Sequence, residues 1–236
     1  MSIIDKIRDV FVWGDSLLKG ITFSAAENKY SIYERNSARY ISEKFHWNII
    51  NKSRFGCTAP KGKKLLDSQL QKGVRSDVAL IEYGGNDCDF NWAEVSKRPE
   101  EKHIPKTPLD DFIRTVKAMI AKLKEKSILP VLMSIPPIDS NRYLDFISRE
   151  GLSKQNILKW LGDVEHIYRW QEMYSHAISN IALEEGCFLI DVRSAFLREW
   201  SYKKYICDDG IHLNQQGHEL MSKTFENFIQ SRMALV

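Results

Sequence analysis

Short apolar runs alternate along the chain with longer stretches of helical period. The runs are Asp9–Trp13, Trp47–Asn51, Val78–Tyr83, Val131–Ile135 and Cys187–Val192. Each is short and nearly unbroken, the signature of a strand covered on both faces rather than one with a wet side. The clearest helix is predicted from Thr107, which can cap it, with Pro108 in its first position and Asp110 in its first turn. Leu109, Phe112, Ile113, Val116, Met119, Ile120 and Leu123 then form one apolar face, and Lys122, Lys124 and Lys126 suit its negative end. A second helix carries Ile167, Trp170, Tyr174, Ala177, Ile178 and Ile181 inward and stops at Gly186. A third begins near Asn214, with Leu220, Met221, Phe225, Phe228 and Ile229 inward, and weaker patterns cover 31–45 and 61–71. Strands alternating with helices predict an α/β fold with a parallel sheet covered on both sides.

No repeat or linker composition interrupts the pattern, so residues 1–236 read as a single domain. Two stretches stand out as insertions: 88–106, polar and charged, and 138–164, rich in charge and aromatics. A chain of 236 residues can bury a full core without disulfides or metal. Its 34 Lys and Arg against 31 Asp and Glu, a net charge of +3 with no basic cluster, argue against a nucleic-acid partner. No apolar run is long enough to span a membrane, and the first sixteen residues lack the apolar core of a secretory leader. A cytoplasmic location is expected, with no stable membrane anchoring; nothing in the sequence sets an oligomeric state. Cys57, Cys88, Cys187 and Cys207 form no CxxC pair and no zinc-ligand spacing, so they are expected to be reduced and near the core.

In an open parallel sheet, ligands lie beyond the carboxyl ends of the strands. There the chain places Gly14-Asp15-Ser16-Leu17 after the first run, Arg54-Phe55-Gly56-Cys57-Thr58 after the second and Gly84-Gly85-Asn86-Asp87 after the third. Asp209-Gly210-Ile211-His212 precedes the last helix. Singly, each has an ordinary reading: Ser16 as a helix cap, Gly56 and the Gly-Gly-Asn-Asp string as turns, His212 as a surface residue. Together they suit acyl transfer. Ser16 is a nucleophile that needs a base, His212 a base, and Asp209 a carboxylate within one turn that orients it. The N–H groups of Ser16 and Gly56 and the Asn86 amide are candidate donors to an oxyanion.

These four blocks, in this order, resemble those of the SGNH hydrolases, the GDSL esterases and lipases. The match runs through Gly14-Asp15-Ser16-Leu17, Gly56 within Asn51–Thr58, Gly84-Gly85-Asn86-Asp87 and Asp209–His212, nearly the whole chain. The resemblance implies a flavodoxin-like three-layer α/β/α fold whose five-stranded parallel sheet has order 2-1-3-4-5. Its switch point, between the first and third strands, is where Ser16 and Asn86 emerge. It implies Ser16 as nucleophile and oxyanion donor, Gly56 and Asn86 as further donors, His212 as base and Asp209 as its orienter, with no cofactor and no metal. The expected substrate is a small-molecule carboxylic ester. A lysophospholipid or acyl thioester is the alternative within this chemistry, and a non-catalytic binding protein is the alternative outside it. A flavodoxin-type nucleotide site is excluded by the lack of phosphate-loop glycine spacing after the first strand.

The insertions are expected to choose the substrate. Asp15, Asp87, Trp92 and Tyr143 are candidate substrate contacts. The 138–164 stretch reads either as a cap over the site or as a surface helix pair with its aromatics inward. The many charges in both insertions favour a short acyl group on a polar alcohol, such as an acetylated sugar, because a long chain needs an apolar trough.

Overall fold

The structure, a computed structural model, describes residues 7–233. Residues 1–6, which open the stretch inspected for a leader, lie outside the described residues. In chain order, β1 (Asp9–Trp13) leads into α1 (Ser16–Lys19), β2 (Ile21–Ser24), β3 (Lys29–Ile32), α2 (Ser37–Phe45) and β4 (Asn48–Asn51). Next come α3 (Ala59–Gln71), β5 (Val78–Ile81), α4 (Trp92–Lys97), α5 (Leu109–Glu125) and β6 (Leu129–Met133). Then follow α6 (Ser140–Ser148), α7 (Lys154–Leu161), α8 (Glu165–Glu184), β7 (Phe188–Ile190), α9 (Val192–Leu197) and α10 (Gln215–Met233).

Five strands pair in parallel in the order β4-β1-β5-β6-β7, which among the sheet's own strands is 2-1-3-4-5. The remaining two, β2 and β3, form an antiparallel hairpin outside the sheet. Successive side chains of a strand point to opposite faces, and here both faces are covered. Phe11, Trp13, Ala79 and Ile81 pack with Leu66 of α3, Phe112, Val116 and Ile120 of α5, and Tyr174 and Ile178 of α8. Val10, Val12, Leu80 and Val131 pack on the other face with Ile41 of α2, Phe196 of α9, and Met221, Phe225 and Ile229 of α10. That two-sided burial is why the strand runs are apolar without alternation.

Two predicted helix starts change. Residues 31 and 32 belong to β3, and the helix predicted over 31–45 starts only at Ser37, where Asn36 caps it by accepting the Arg39 N–H. Thr107 does not cap α5; Pro108 takes that place, with no side-chain cap. Thr107 is instead buried, its N–H donating to the Asp87 carbonyl at 3.0 Å and its carbonyl accepting from the Tyr174 hydroxyl at 2.6 Å. It pins the end of the first insertion to the loop after β5.

Candidate active site

The loops after β1, β4 and β5 and the turn before α10 meet at the carboxyl edge of the sheet. Asp15, not Ser16, caps α1: its Oδ1 accepts the Leu17 N–H at 2.9 Å. The Ser16 hydroxyl is thus free of capping and lies 2.9 Å from His212 Nε2. His212 Nδ1 lies 2.6 Å from Asp209 Oδ2. A carboxylate only accepts, so this contact keeps the ring proton on Nδ1 and leaves Nε2 to accept from Ser16. All three side chains are buried, Asp209 completely.

The turn that carries Asp209 and His212 is closed on itself. Asp209 Oδ1 accepts the N–H groups of Ile211 at 3.2 Å and His212 at 3.1 Å. Gly210, at φ +79°, tucks under the start of α6, and its carbonyl accepts the Asp139 N–H at 2.9 Å. A Cβ there would sit 2.4 Å from the Tyr143 nitrogen and 2.6 Å from the Asp139 carbonyl oxygen, both backbone atoms that cannot step aside. Gly210→Ala is therefore expected to destabilise the protein by about 2 kcal/mol or more, from left-handed strain plus the clash. Thermal melting checks the stability loss, and any ester turnover that depends on His212 should fall with it because the turn that holds His212 is displaced.

The candidate oxyanion donors border the same cavity as Ser16 and His212. Among the described residues, the backbone N–H groups of Ser16 and Gly56 donate to no other protein group. Gly56 has φ +67°, which glycine adopts freely. The Asn86 amide gives one N–H to Asp15 Oδ2 at 2.8 Å and keeps its second. Two aromatic rings outside the predicted set flank His212. Phe55 stacks on His212 with centroids 5.8 Å apart and planes 10° apart, and Tyr30 of β3 lies edge-on at 5.2 Å. Phe55 stands directly before Gly56, a position that could have flagged it; Tyr30 gave no signal, because the hairpin itself was unforeseen.

The cavity holds about 250 Å³. Both insertions wall it. Phe90 and Trp92 come from the first, and Tyr143, Phe146, Ile147 and Leu161 from α6 and α7; Ile135, Pro136 and Trp170 add to this apolar wall, and Asp89, His166 and Gln171 are polar members of the lining. The two insertions are stitched together: Ser96 Oγ accepts the Ser153 N–H at 2.7 Å, and the Ser96 carbonyl accepts from the Asn156 amide at 2.8 Å. Several of the charges in the insertions are spent in the surface pairs Glu94–Arg98, Glu100–Lys159 and Asp145–Lys154, while Asp89 borders the cavity.

Of the candidate substrate contacts, Trp92 and Tyr143 border the cavity, but with their polar edges already occupied. Asp89 Oδ1 accepts from Trp92 Nε1 at 2.7 Å and from the Tyr143 hydroxyl at 2.8 Å, while Lys106 holds Oδ2 at 2.7 Å. Burial and the Asp89 charge hold the Tyr143 phenol well above the usual range, so it stays a donor. Asp15 borders the cavity too, with its oxygens given to Leu17 and Asn86. Asp87 does not line the cavity. It is fully buried and accepts the N–H groups of Ala59 at 2.9 Å and Gly84 at 3.1 Å, so it braces the loops that carry Gly56 and Asn86. Burial raises its carboxyl to about 6 against these bonds.

Comparison with known proteins places the chain in a family and a fold. The model of the GDSL-like lipase/acylhydrolase family matches residues 12–220. The GDSL esterase/lipase CPRD49 of Arabidopsis thaliana is 24% identical over 180 residues, 74% of this chain but 63% of the relative, so the chain spans less than two thirds of that protein's length. Among solved structures, a lipase/acylhydrolase from Enterococcus faecalis has a TM-score of 0.64 at 17% identity, covering 96% of this chain and 97% of its own. The acetylxylan esterase Axe2 from Geobacillus stearothermophilus has a TM-score of 0.61 at 17% identity, with 97% and 96% covered. At such identities the structures attest to the fold.

Proposed function

The chain belongs to the GDSL-like lipase/acylhydrolase family, and on that footing we propose that it hydrolyses carboxylic esters with Ser16 as nucleophile. The Ser16 oxygen attacks the ester carbonyl while His212 Nε2 takes its proton, and Asp209 steadies the resulting imidazolium. The oxyanion is received by the N–H groups of Ser16 and Gly56 and by the Asn86 amide. Collapse expels the alcohol with the proton from His212, and a water activated by the same nitrogen frees the acid from the acyl-enzyme. The observation that carries this reading is the unbroken line of short contacts from Asp209 through His212 to Ser16, opening on a cavity. A binding protein without catalysis has no use for a buried carboxylate behind a histidine. Among the described residues no helix is long and apolar enough to cross a membrane. The four free thiols fit the reducing cytoplasm.

For the substrate, the cavity argues for a short acyl group. His212 must reach the leaving oxygen, which places the alcohol on its side, against Tyr30 and the half-exposed Phe55. The acyl group then lies across Ser16, toward Asn86 and the apolar walls. A volume of about 250 Å³ is below the ~300–1,000 Å³ common for small-molecule sites. Several charges of the insertions pair on the surface, and Asp89, which borders the cavity, is taken up by Trp92, Tyr143 and Lys106, so the polar alcohol is placed on the open side of the site. An acetylated sugar would have its ring outside the cavity, on the face of Phe55. Each methylene that fits adds about 0.8 kcal/mol, roughly fourfold in kcat/KM, and the first that does not fit ends the gain. Measured on p-nitrophenyl acetate, butyrate, octanoate and palmitate, kcat/KM is expected to peak at acetate or butyrate and fall at octanoate. Acetate release from acetylated saccharides is assayed beside them. A steady climb to octanoate or beyond would defeat the short-acyl reading and favour a lysophospholipid or an acyl thioester.

A further inference from the structure

A second hollow, of about 250 Å³, lies between the end of α1, the loop after β4 and the side of α3. Trp13, Lys19, Lys52, Ser53, Arg54 and Gln69 border it, and no carboxylate does. Phe55 and Gly56, next along the loop, border the cavity at Ser16 and not this one, so the two are separate. Its walls carry donors that the protein itself does not use. Ser53 is 6% exposed, and its hydroxyl has no hydrogen-bond partner. Trp13 is 2% exposed, and among the described residues its indole N–H donates to no protein group. Buried groups of these kinds are almost always paired. The neighbouring Asn51 is engaged elsewhere: its amide donates to the Leu18 carbonyl at 2.7 Å and its oxygen accepts the Ser53 N–H at 2.9 Å. The side chains of Lys19, Lys52, Arg54 and Gln69 also make no ion pair or hydrogen bond among the described residues, although Lys19 and Lys52 are half-buried. Lys63, on the same α3, is by contrast paired with Asp67 at 2.8 Å. Three cations gathered without an acid repel one another, and an anion among them removes that cost.

We propose that this hollow, walled by Lys19, Lys52, Arg54 and the unpartnered Ser53 and Trp13, is a binding site for a phosphate monoester. Ammonium, guanidinium and indole groups only donate, and the Ser53 hydroxyl and the Gln69 amide can do so as well, which selects a ligand made of acceptors. Three cations suit a dianion better than the single charge of a carboxylate. A phosphate monoester carries about −1.5 to −2 at pH 7 and three strong acceptor oxygens. The guanidinium fork matches two of those oxygens at once, and an ammonium serves as a point charge beside it. The loop is already fastened to β1: the Lys52 N–H donates to the Val12 carbonyl at 2.8 Å and the Arg54 N–H to the Gly14 carbonyl at 3.1 Å. Binding therefore costs little ordering of the backbone.

Binding is read without turnover, so the outcome is independent of the ester chemistry. Titration calorimetry on the full chain compares glycerol 3-phosphate with glycerol at about 0.15 M ionic strength, where long-range attraction is screened. Sedimentation compares phosphatidylcholine vesicles with and without phosphatidic acid, a lipid whose headgroup is a phosphate monoester. Glycerol 3-phosphate is expected to bind with a Kd at or below about 1 mM, and glycerol not at all. Binding of the phosphatidic acid vesicles alone would mark the same chemistry carried by a lipid. Lys52→Met and Arg54→Met should each weaken binding by roughly tenfold or more, and Ser53→Ala by roughly threefold. Lys223→Met, on α10, removes a cation outside the hollow and should leave Kd unchanged. Thermal melting shows that each variant is folded. Binding that ignores Lys52→Met and Arg54→Met would put the anion elsewhere, and a loss matched by Lys223→Met would reduce it to net charge; either overturns the proposal. So does failure of both phosphate probes to bind at about 10 mM. Should a methionine variant fail to fold, Lys52→Gln or Arg54→Gln takes its place; if these fail too, the cations serve the fold and the proposal falls.

Discussion

Ser16→Ala is expected to cut ester hydrolysis by ~10⁴–10⁶ and to leave the fold unchanged. The chemical half follows from position: the Ser16 hydroxyl, the proposed nucleophile, lies 2.9 Å from His212 Nε2, and Ser16 borders the cavity. The structural half follows from the capping of α1. A serine opening a helix after a strand is commonly its N-cap, and its loss would then cost about 1 kcal/mol. Here Asp15 does the capping, so removing the Ser16 oxygen leaves no helix donor unsatisfied. The measurement is p-nitrophenyl butyrate turnover beside far-ultraviolet circular dichroism and melting, with a fluorophosphonate probe that should label wild type and not the variant. A folded Ser16→Ala protein with substantial turnover would remove Ser16 from the mechanism. His212→Ala should approach the same floor, and the double variant should fall little further, because the members act as a unit.

How much of this was readable beforehand depends on what each residue's neighbours demand. Val10–Trp13 and Val78–Ile81 lie in a parallel sheet with both faces covered, so burial leaves an unbroken apolar run that sequence shows directly. The hairpin β2–β3 has strands of four residues, mostly half-buried or exposed, and no such run; Tyr30 acquires a role only by landing on His212. The pairing of Ser16, His212 and Asp209 was expected from block order, yet the division of labour between Ser16 and Asp15 needed coordinates, since either oxygen can cap a helix. Glu82 did leave a trace: a carboxyl inside the run Val78–Tyr83 is costly unless it is hydrogen-bonded, and its Oε2 accepts the Asp15 backbone N–H at 3.2 Å. The make-up of the cavity wall was not legible in the insertions because composition does not say which face of a helix a charge is on. Glu94, Arg98 and Lys159 sit on outward faces while Trp92, Tyr143 and Leu161 turn in, so a stretch rich in charge built an apolar wall.

Asp209→Asn should lower kcat by ~10³–10⁴, less than Ser16→Ala, with KM nearly unchanged. The reason lies in which side of the new amide must face the ring. Asp209 Oδ1 accepts two backbone N–H groups, from Ile211 and His212, in a turn closed by Gly210. An asparagine that keeps those bonds must leave its oxygen there, which turns its NH₂ toward His212 Nδ1, 2.6 Å from the original Oδ2. The amide then donates, Nδ1 must accept, and the ring proton moves to Nε2, where it points at Ser16. A histidine in that tautomer cannot take the serine proton. The base is disabled by one misplaced hydrogen, with its geometry kept. Flipping the amide would restore the tautomer but would set an NH₂ against two backbone N–H groups, a clash of donors in a fully buried site. Asp209→Ala makes the decisive comparison: it abolishes the orienting bond without imposing the wrong tautomer, and should keep more kcat than Asp209→Asn if it folds. The check is kcat for both variants, with nitrogen chemical shifts of the His212 ring reporting the tautomer. Wild-type shifts and a kcat within tenfold of wild type in folded Asp209→Asn would mean that Asp209 does not orient the base.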